Sequence, residues 1–365
     1  MKTQSKKTFF IGPFPGPITG QTKITQVLFE ELEKNYGCSL IKLDTVRAET
    51  KSGTLNTIVK IKKLFSNSLE IWTKRQQTGG TVYISLDANK GLYISLIYCL
   101  VAALARKKVV LHHHTYSHIA KKLLPMSLLH KLTKSKALHL CICSKMGEDL
   151  KNQYPGIEYI TLNNAFSLTP IVHPKKSYVS DEITLGFLGR LTYEKGADLA
   201  IDTAIELSKN YSGKVKIILA GPAPNTKYIE NLRIKYKKQN ISVIETGMIH
   251  DNRIDEFYKS IDYFLFPTRY ENETQGIVNI EALSYAVPSI AFGRCCIPTD
   301  VKAGGAVLDI HAHFPHCASK IISKYHSSEP SQTLIKKQAA EQFRKIHTDS
   351  MVELQRLASN LKLIS

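Results

Sequence analysis

Glu273 and Glu281 have seven residues between them, in the segment FPTRYENETQGIVNIEAL from Phe266 to Leu283. The segment passes from a short apolar run through a polar loop into an apolar helical pattern. With Glu273 in the loop and Glu281 about two turns into the helix, both carboxylates can face one cleft. Unpaired N–H groups near Gln275 and Gly276 would add an anion site beside them. Open α/β sheets bind ligands at the carboxyl ends of their strands, which is where this loop falls. A capping glutamate and an ordinary helix-surface glutamate would show the same spacing. A second concentration of chemistry is His112-His113-His114 at the end of a strand-like run. Three consecutive histidines on a strand point to alternate faces and cannot all bind one ion, which argues against a metal site.

Alternating short β-rich runs and helical stretches must position these groups. Thr8–Ile11 breaks into a Gly/Pro-rich turn, Gly12 to Gly20, followed by a helical pattern from Thr22 to Lys34. Strand, turn and helix in that order begin an α/β unit. Further runs at Ser39–Leu43, Thr81–Leu86, Lys108–His112 and Leu138–Cys143 alternate with helical stretches such as Thr54–Arg75 and Ser117–Leu132. Residues 163–180, with Pro170 and Pro174, have no clear period and read as a linker. A second series follows, with strands at Ile183–Leu188, Lys216–Ala220, Ile241–Glu245 and Tyr263–Phe266 and helices at Ala197–Lys209, Thr226–Lys238 and Asp251–Ser260. The pattern predicts two doubly wound α/β domains with parallel sheets. Their expected bounds are 1–168 and 169–345, with a final helical segment, 346–365, packing back across the domains.

The length of 365 residues suits two domains. Ordinary apolar content, 43%, excludes a disordered chain. Net charge is +18, and residues 1–170 hold 24 basic against 10 acidic side chains, so +14 of it belongs to the first half. Such an excess implies an anionic partner. Seven scattered cysteines without a Cys-x-x-Cys spacing argue against a disulfide framework or a zinc site and fit a reducing cytoplasm. No signal-peptide core is visible, since Phe9-Phe10-Ile11 is cut off by Gly12-Pro13. The longest apolar run, Leu92–Ala105, is too short to span a bilayer and reads as a buried helix.

Glu273-x7-Glu281 followed by Ala282-Leu283-Ser284-Tyr285-Ala286-Val287-Pro288 resembles the signature of the retaining glycosyltransferases of family 4. Leu188-Gly189-Arg190-Leu191-Thr192-Tyr193-Glu194-Lys195-Gly196, then Ala220-Gly221-Pro222, then Gly247 agree with it, in order and over most of residues 183–300. The resemblance implies a GT-B fold, two Rossmann-like domains facing a central cleft. It also implies that Arg190 and Lys195 hold the donor diphosphate, where fixed cations offset charge growing on the leaving group. Glu281 would accept hydrogen bonds from ribose hydroxyls and Glu273 would contact the donor sugar. Main-chain groups at Gln275, Gly276 and Ile277 would face sugar and phosphates, with Gly221 in the donor site and the main chain near Met248 and Ile249 meeting the base. In the first domain the turn Gly16 to Gly20, with Thr19 where the family often has glycine, would approach the phosphates, Gly20 being its donor-binding candidate. His114, with His113 as its neighbour candidate, would reach the donor sugar. Asn163-Asn164-Ala165 resembles the family's Asn-Gly pair before the linker.

The expected catalytic set is therefore His114, Glu273, Arg190 and Lys195. No cofactor and no metal are expected, and the chain lacks an Asp-x-Asp motif. Leu55, Ile58, Val59, Ile61, Leu64, Phe65, Leu69 and Trp72 share one helical face with lysines around it. That helix fits either a core-facing element or one lying on an anionic membrane. Lys121, Lys122, Lys131, Lys134 and Lys136 form a second basic cluster. The expected function is transfer of a sugar from a nucleotide-sugar donor to a glycan or lipid-linked acceptor in surface polysaccharide or glycolipid synthesis. The expected place is the cytoplasm, peripheral on the inner membrane face, with an anionic membrane surface as a candidate partner. Two rivals are a nucleotide-sugar epimerase of GT-B fold, which would need no acceptor, and a basic nucleic-acid-binding protein. Nucleic acid is not an expected partner, since no aromatic-basic interleaving or binding motif is present.

Overall fold

The computed structural model describes residues 7–16, 20–45, 53–133, 137–169, 181–250 and 252–363. Residues 17–19 of the Gly-rich turn, Lys134 and Lys136, residues 170–180 of the expected linker, and Asp251 lie outside the described residues, as does the side chain of Leu55. The chain divides into two compact units, Met1–Ser167 with Thr348–Ser365, and Leu168–His347.

The first unit is built on six parallel strands: β1 (Lys7–Gly12), β2 (Leu40–Asp44), β3 (Thr78–Ser85), β4 (Lys108–His112), β5 (Ala137–Cys141) and β6 (Tyr159–Thr161), in the order β2-β1-β3-β4-β5-β6. Phe9, Phe10 and Ile11 of β1 and Val82, Tyr83 and Ile84 of β3 are all buried, the unbroken apolar run of a strand covered on both faces. The helices are α1 (Gly20–Lys34), α2 (Gly53–Thr73), α3 (Leu92–Leu104), α4 (Ser117–Ala120), α5 (Leu124–Thr133) and α6 (Ser144–Gln153). The single helix expected over Ser117–Leu132 is two. Pro125 lacks an N–H and its ring would clash with the carbonyl of Lys121, so it is accommodated only in the first turn of α5.

Helix α3 packs between α2 and α5. It buries Leu92, Ser95, Tyr98, Cys99 and Ala102. Its opposite side, Tyr93, Ile97, Leu100 and Leu104, is exposed. The expectation of a wholly buried helix over this apolar run is therefore corrected on one face.

The second unit has six parallel strands, β7 (Glu182–Leu188), β8 (Lys214–Ala220), β9 (Ser242–Gly247), β10 (Tyr263–Phe266), β11 (Ser289–Phe292) and β12 (Gly305–Leu308), in the order β12-β11-β10-β7-β8-β9. Its helices are α7 (Ala197–Asn210), α8 (Thr226–Tyr236), α9 (Asn252–Ser260), α10 (Ile277–Ser284), α11 (Ile297–Val301) and α12 (Phe314–Tyr325). The strand period of two sorts the core into two layers. Leu185, Phe187, Ile217, Leu219 and Leu265 pack with α7, α8 and α12, whereas Ile218, Phe264, Phe266 and Ala291 pack with α9, α10 and α11. Each large side chain so buried contributes about 1.5–3 kcal/mol, so Phe264 and Phe266 fix the end of β10 from which the Glu273 loop departs.

Helix α13 runs without a break over Glu329–Leu363. Its residues to His347 group with the second unit and those from Thr348 with the first. In the first unit Glu353 accepts from the Asn163 N–H at 2.8 Å and from the Thr161 hydroxyl, capping the end of β6. No helix among the described residues is long and apolar enough to cross a membrane.

Candidate active site

The turns after β7, β8 and β9 stack on one another through main-chain hydrogen bonds. Gly189 N–H donates to Ala220 O at 2.9 Å, Gly221 N–H to Gly247 O at 2.8 Å, and Leu191 N–H to Pro222 O at 2.9 Å. Gly221 has φ +135°, and a Cβ there would stand 1.9 Å from the Gly189 carbonyl oxygen, so the close approach needs glycine. The loop leaving β7 starts at the exposed Arg190 and ends at Gly196, with φ +78°, where a Cβ would stand 2.1 Å from Pro267 O. That contact seats the β7 loop directly on the loop that follows β10.

Side chains then lock the two loops together. Lys195 Nζ donates to Glu273 Oε2 at 2.6 Å, and Thr268 Oγ1 donates to the same oxygen at 3.2 Å. Lys195 also lies over the Tyr270 ring, 4.9 Å from its centroid. The main-chain N–H of Arg269 donates to Glu194 O at 2.7 Å. Its guanidinium forks onto Asp198 with two 2.8 Å bonds, donates to Tyr193 O and stacks on the Tyr193 ring. Arg294 Nε reaches Thr268 O at 3.1 Å. Lys195 and Glu273, 78 residues apart in sequence, are thus direct partners at the carboxyl ends of β7 and β10.

Helix α10 continues the site. Gly276 is its N-cap residue and Ile277 its first residue, so the start of the helix lies beside the Glu273 loop, with the Asn279 N–H already donating to Gly276 O at 2.8 Å. Gln275 is buried and donates to Asp300 Oδ2 at 3.0 Å. Glu281 accepts from Tyr258 Oη on α9 at 2.9 Å. Burial, with the Glu281 carboxylate adjacent, pushes the Tyr258 phenol well above its usual value, so it remains a donor to that carboxylate. After β9, Met248 is exposed while the Ile249 side chain is buried against α9.

In the first unit, Gly20 opens α1 with open space where a Cβ would go. The histidines at the end of β4 do alternate. His112 and His114 lie together, ring centroids 3.9 Å apart, with His112 Nδ1 2.6 Å from Tyr83 Oη. His113 turns the other way, its Nδ1 2.7 Å from His118 Nε2 and its Nε2 2.9 Å from His139 Nδ1. Burial holds all five imidazoles neutral. His114 and His118 are pushed down to about 4, His139 to about 3, and His112 and His113 well below the usual value. In Asn163-Asn164-Ala165, Asn163 Oδ1 accepts from the Ala165 N–H at 3.0 Å.

Sequence reasoning missed Thr268, Arg269, Asp198, Tyr258 and Arg294. Thr268 and Arg269 sit in the same motif segment, but their partners are remote in sequence, and no spacing rule joins Asp198 to Arg269 or Tyr258 to Glu281.

The family model described as "Glycosyl transferases group 1" matches residues 170–342. An uncharacterised glycosyltransferase of Methanocaldococcus jannaschii is 27% identical over 187 residues, 50% of this chain and 44% of that protein. A GDP-mannose-dependent alpha-mannosyltransferase of Corynebacterium glutamicum is 26% identical over 191 residues, 50% of this chain and 40% of that protein. The match therefore spans less than half the length of these relatives. Among solved structures, Anabaena Alr3699/HepE in complex with UDP-glucose superposes with a TM-score of 0.68 at 15% identity, covering 97% of this chain and 100% of that one. These findings support an enzyme of the glycosyltransferase class: the chain has the GT-B fold, and its residues 170–342 match the group 1 glycosyl transferase domain.

Proposed function

We propose that the protein is a retaining family 4 glycosyltransferase that moves a sugar from a nucleotide-sugar donor to a glycan or lipid-linked acceptor. The Lys195–Glu273 pair carries this reading, because it joins a cation suited to a diphosphate and a carboxylate suited to sugar hydroxyls at the carboxyl ends of β7 and β10. Arg190 and Lys195 supply the positive charge that stabilises the leaving nucleoside diphosphate, so the reading assigns no metal. Main-chain groups at Gln275, Gly276 and Ile277, leading into α10, face the sugar and phosphates. Glu281, oriented by Tyr258, accepts from the ribose, and Gly221 lets the main chain approach closely. Main chain at Met248 and Ile249 meets the base. The reading also assigns phosphate contact to Gly20 and sugar contact to the neutral His114. The positive charge of the first unit suits an anionic acceptor or membrane surface in polysaccharide or glycolipid synthesis.

A uridine donor comes first in the test, since HepE was crystallised with UDP-glucose. Thermal melting with UDP, GDP, ADP, CMP and dTDP is compared between the wild type and Glu281→Ala. One nucleotide is expected to raise the melting point of the wild type and much less that of the variant. No shift with any nucleotide would remove the donor-site reading. Proton NMR of the product's anomeric configuration then tests retention.

A further inference from the structure

Nineteen large apolar side chains are exposed among the described residues, and eleven of them lie on α2, α3 and α5. That is a concentration rather than the ordinary scatter of surface hydrophobics. On α2 they are Ile58, Ile61, Phe65, Leu69 and Trp72, spaced three or four residues apart along one stripe. On α3 they are Tyr93, Ile97, Leu100 and Leu104, on the side opposite the core-facing Leu92, Ser95, Cys99 and Ala102. On α5 they are Leu124 and Leu128. Because α3 packs between α2 and α5, the three stripes are neighbours and form one apolar surface.

We propose that this surface docks the protein onto an anionic phospholipid bilayer, with the three stripes in the headgroup boundary and the surrounding lysines on lipid phosphates. The commitment to lipid rests on charge. The three helices carry one acidic residue, Glu70, which is paired with Lys74. Lys62 lies within the α2 stripe, four residues after Ile58 and three before Phe65, and Lys131 follows Leu128 by three on α5. Lys62, Lys90, Arg106, Lys121, Lys122 and Lys131 are exposed on or next to these helices. Basic side chains around an apolar face are drawn to anionic headgroups. A second copy would bring the same cations against each other, and nucleic acid offers no apolar surface for the eleven side chains. Trp72, the only tryptophan, is an interfacial residue type with Arg75 stacked on its ring at 4.1 Å. The proposal deepens the anionic-surface partner assigned above but uses no residue of the donor site.

Trp72 gives the test its probe. The full chain is mixed with phosphatidylglycerol-containing vesicles or with phosphatidylcholine vesicles, and sedimentation and Trp72 emission are read at low and high salt. The expected result is co-sedimentation with anionic vesicles, a blue shift of Trp72 emission, and loss of both at high salt. Phe65→Glu and Leu100→Glu, both at exposed positions, are expected to abolish binding without lowering the melting point. The proposal is overturned by failure to bind anionic vesicles at low salt or by binding with unshifted Trp72 emission. It is equally overturned by self-association that Phe65→Glu removes, or by binding to duplex DNA that outcompetes vesicles. Nucleotide-dependent melting is read on the same samples without vesicles, so failure of the donor-site reading remains distinguishable.

Discussion

Lys195 Nζ lies 2.6 Å from Glu273 Oε2, with the two side chains only 22% and 12% exposed. Each therefore fixes the other, and under the proposed donor reading a diphosphate must share or take over the lysine. Lys195→Ala and Glu273→Gln are each expected to lower kcat/KM by about 10²–10³-fold. The double variant should fall short of the product of the single effects, since the two act as a unit. Steady-state kinetics on all three checks this. Nucleotide stabilisation in the melting assay should be lost in Lys195→Ala and kept in Glu273→Gln.

In the proposed donor site Tyr258 would act on the ribose through Glu281. Tyr258→Phe removes the donor 2.9 Å from Glu281 Oε2 and leaves the ring stacked on Tyr285. Loss of one such bond is worth about 1 kcal/mol, so nucleotide affinity should fall about fivefold. Isothermal titration measures this, and unchanged affinity would detach Tyr258 from the site.

Two glycines of the second unit should tolerate no side chain, unlike one in the first. Gly196→Ala and Gly221→Ala place a Cβ 2.1 Å and 1.9 Å from carbonyl oxygens at positive φ, and each is expected to cost about 1–3 kcal/mol. Gly20→Ala meets open space and should change stability by less than about 0.5 kcal/mol. Chemical denaturation of the three variants gives the ranking.

The buried imidazoles make the first unit acid-sensitive. His112, His113, His114, His118 and His139 have folded pKa values below the 6.5 of an ordinary histidine, so below that pH the unfolded chain binds more protons than the folded one. Their stabilising effect is full above about pH 6.5 and lost as pH falls toward about 4, each group adding up to about 1.4 kcal/mol per pH unit. Trp72 belongs to the first unit, so its fluorescence reports that unit's urea midpoint. The midpoint should drop steeply across this window, and a flat profile would contradict the assignment.

The fold class was legible because Phe9-Phe10-Ile11 and Tyr263–Phe266 are unbroken apolar runs between turn-forming residues, the mark of covered parallel strands. Strands β6, β11 and β12, at three and four residues, carry too few positions for a period. Pro125 was a visible break that the run of apolar residues around it masked. The apolar run of α3 misled for another reason: hydrophobicity on every side predicts burial only when nothing else is meant to cover the outer face. At the site, residue types in Glu273-x7-Glu281 pointed to the carboxylates. The pairing of Lys195 with Glu273 is a product of tertiary packing at Gly196 and Pro267, which no local pattern encodes.

The division of α13 at His347 has a consequence for synthesis on the ribosome. Every residue of the second unit precedes Thr348, whereas the first unit, begun earliest, still lacks the carboxylate of Glu353 that caps β6 until the closing turns of α13 are made. The unit translated first is thus the one completed last, and until then the Asn163 N–H waits for its acceptor.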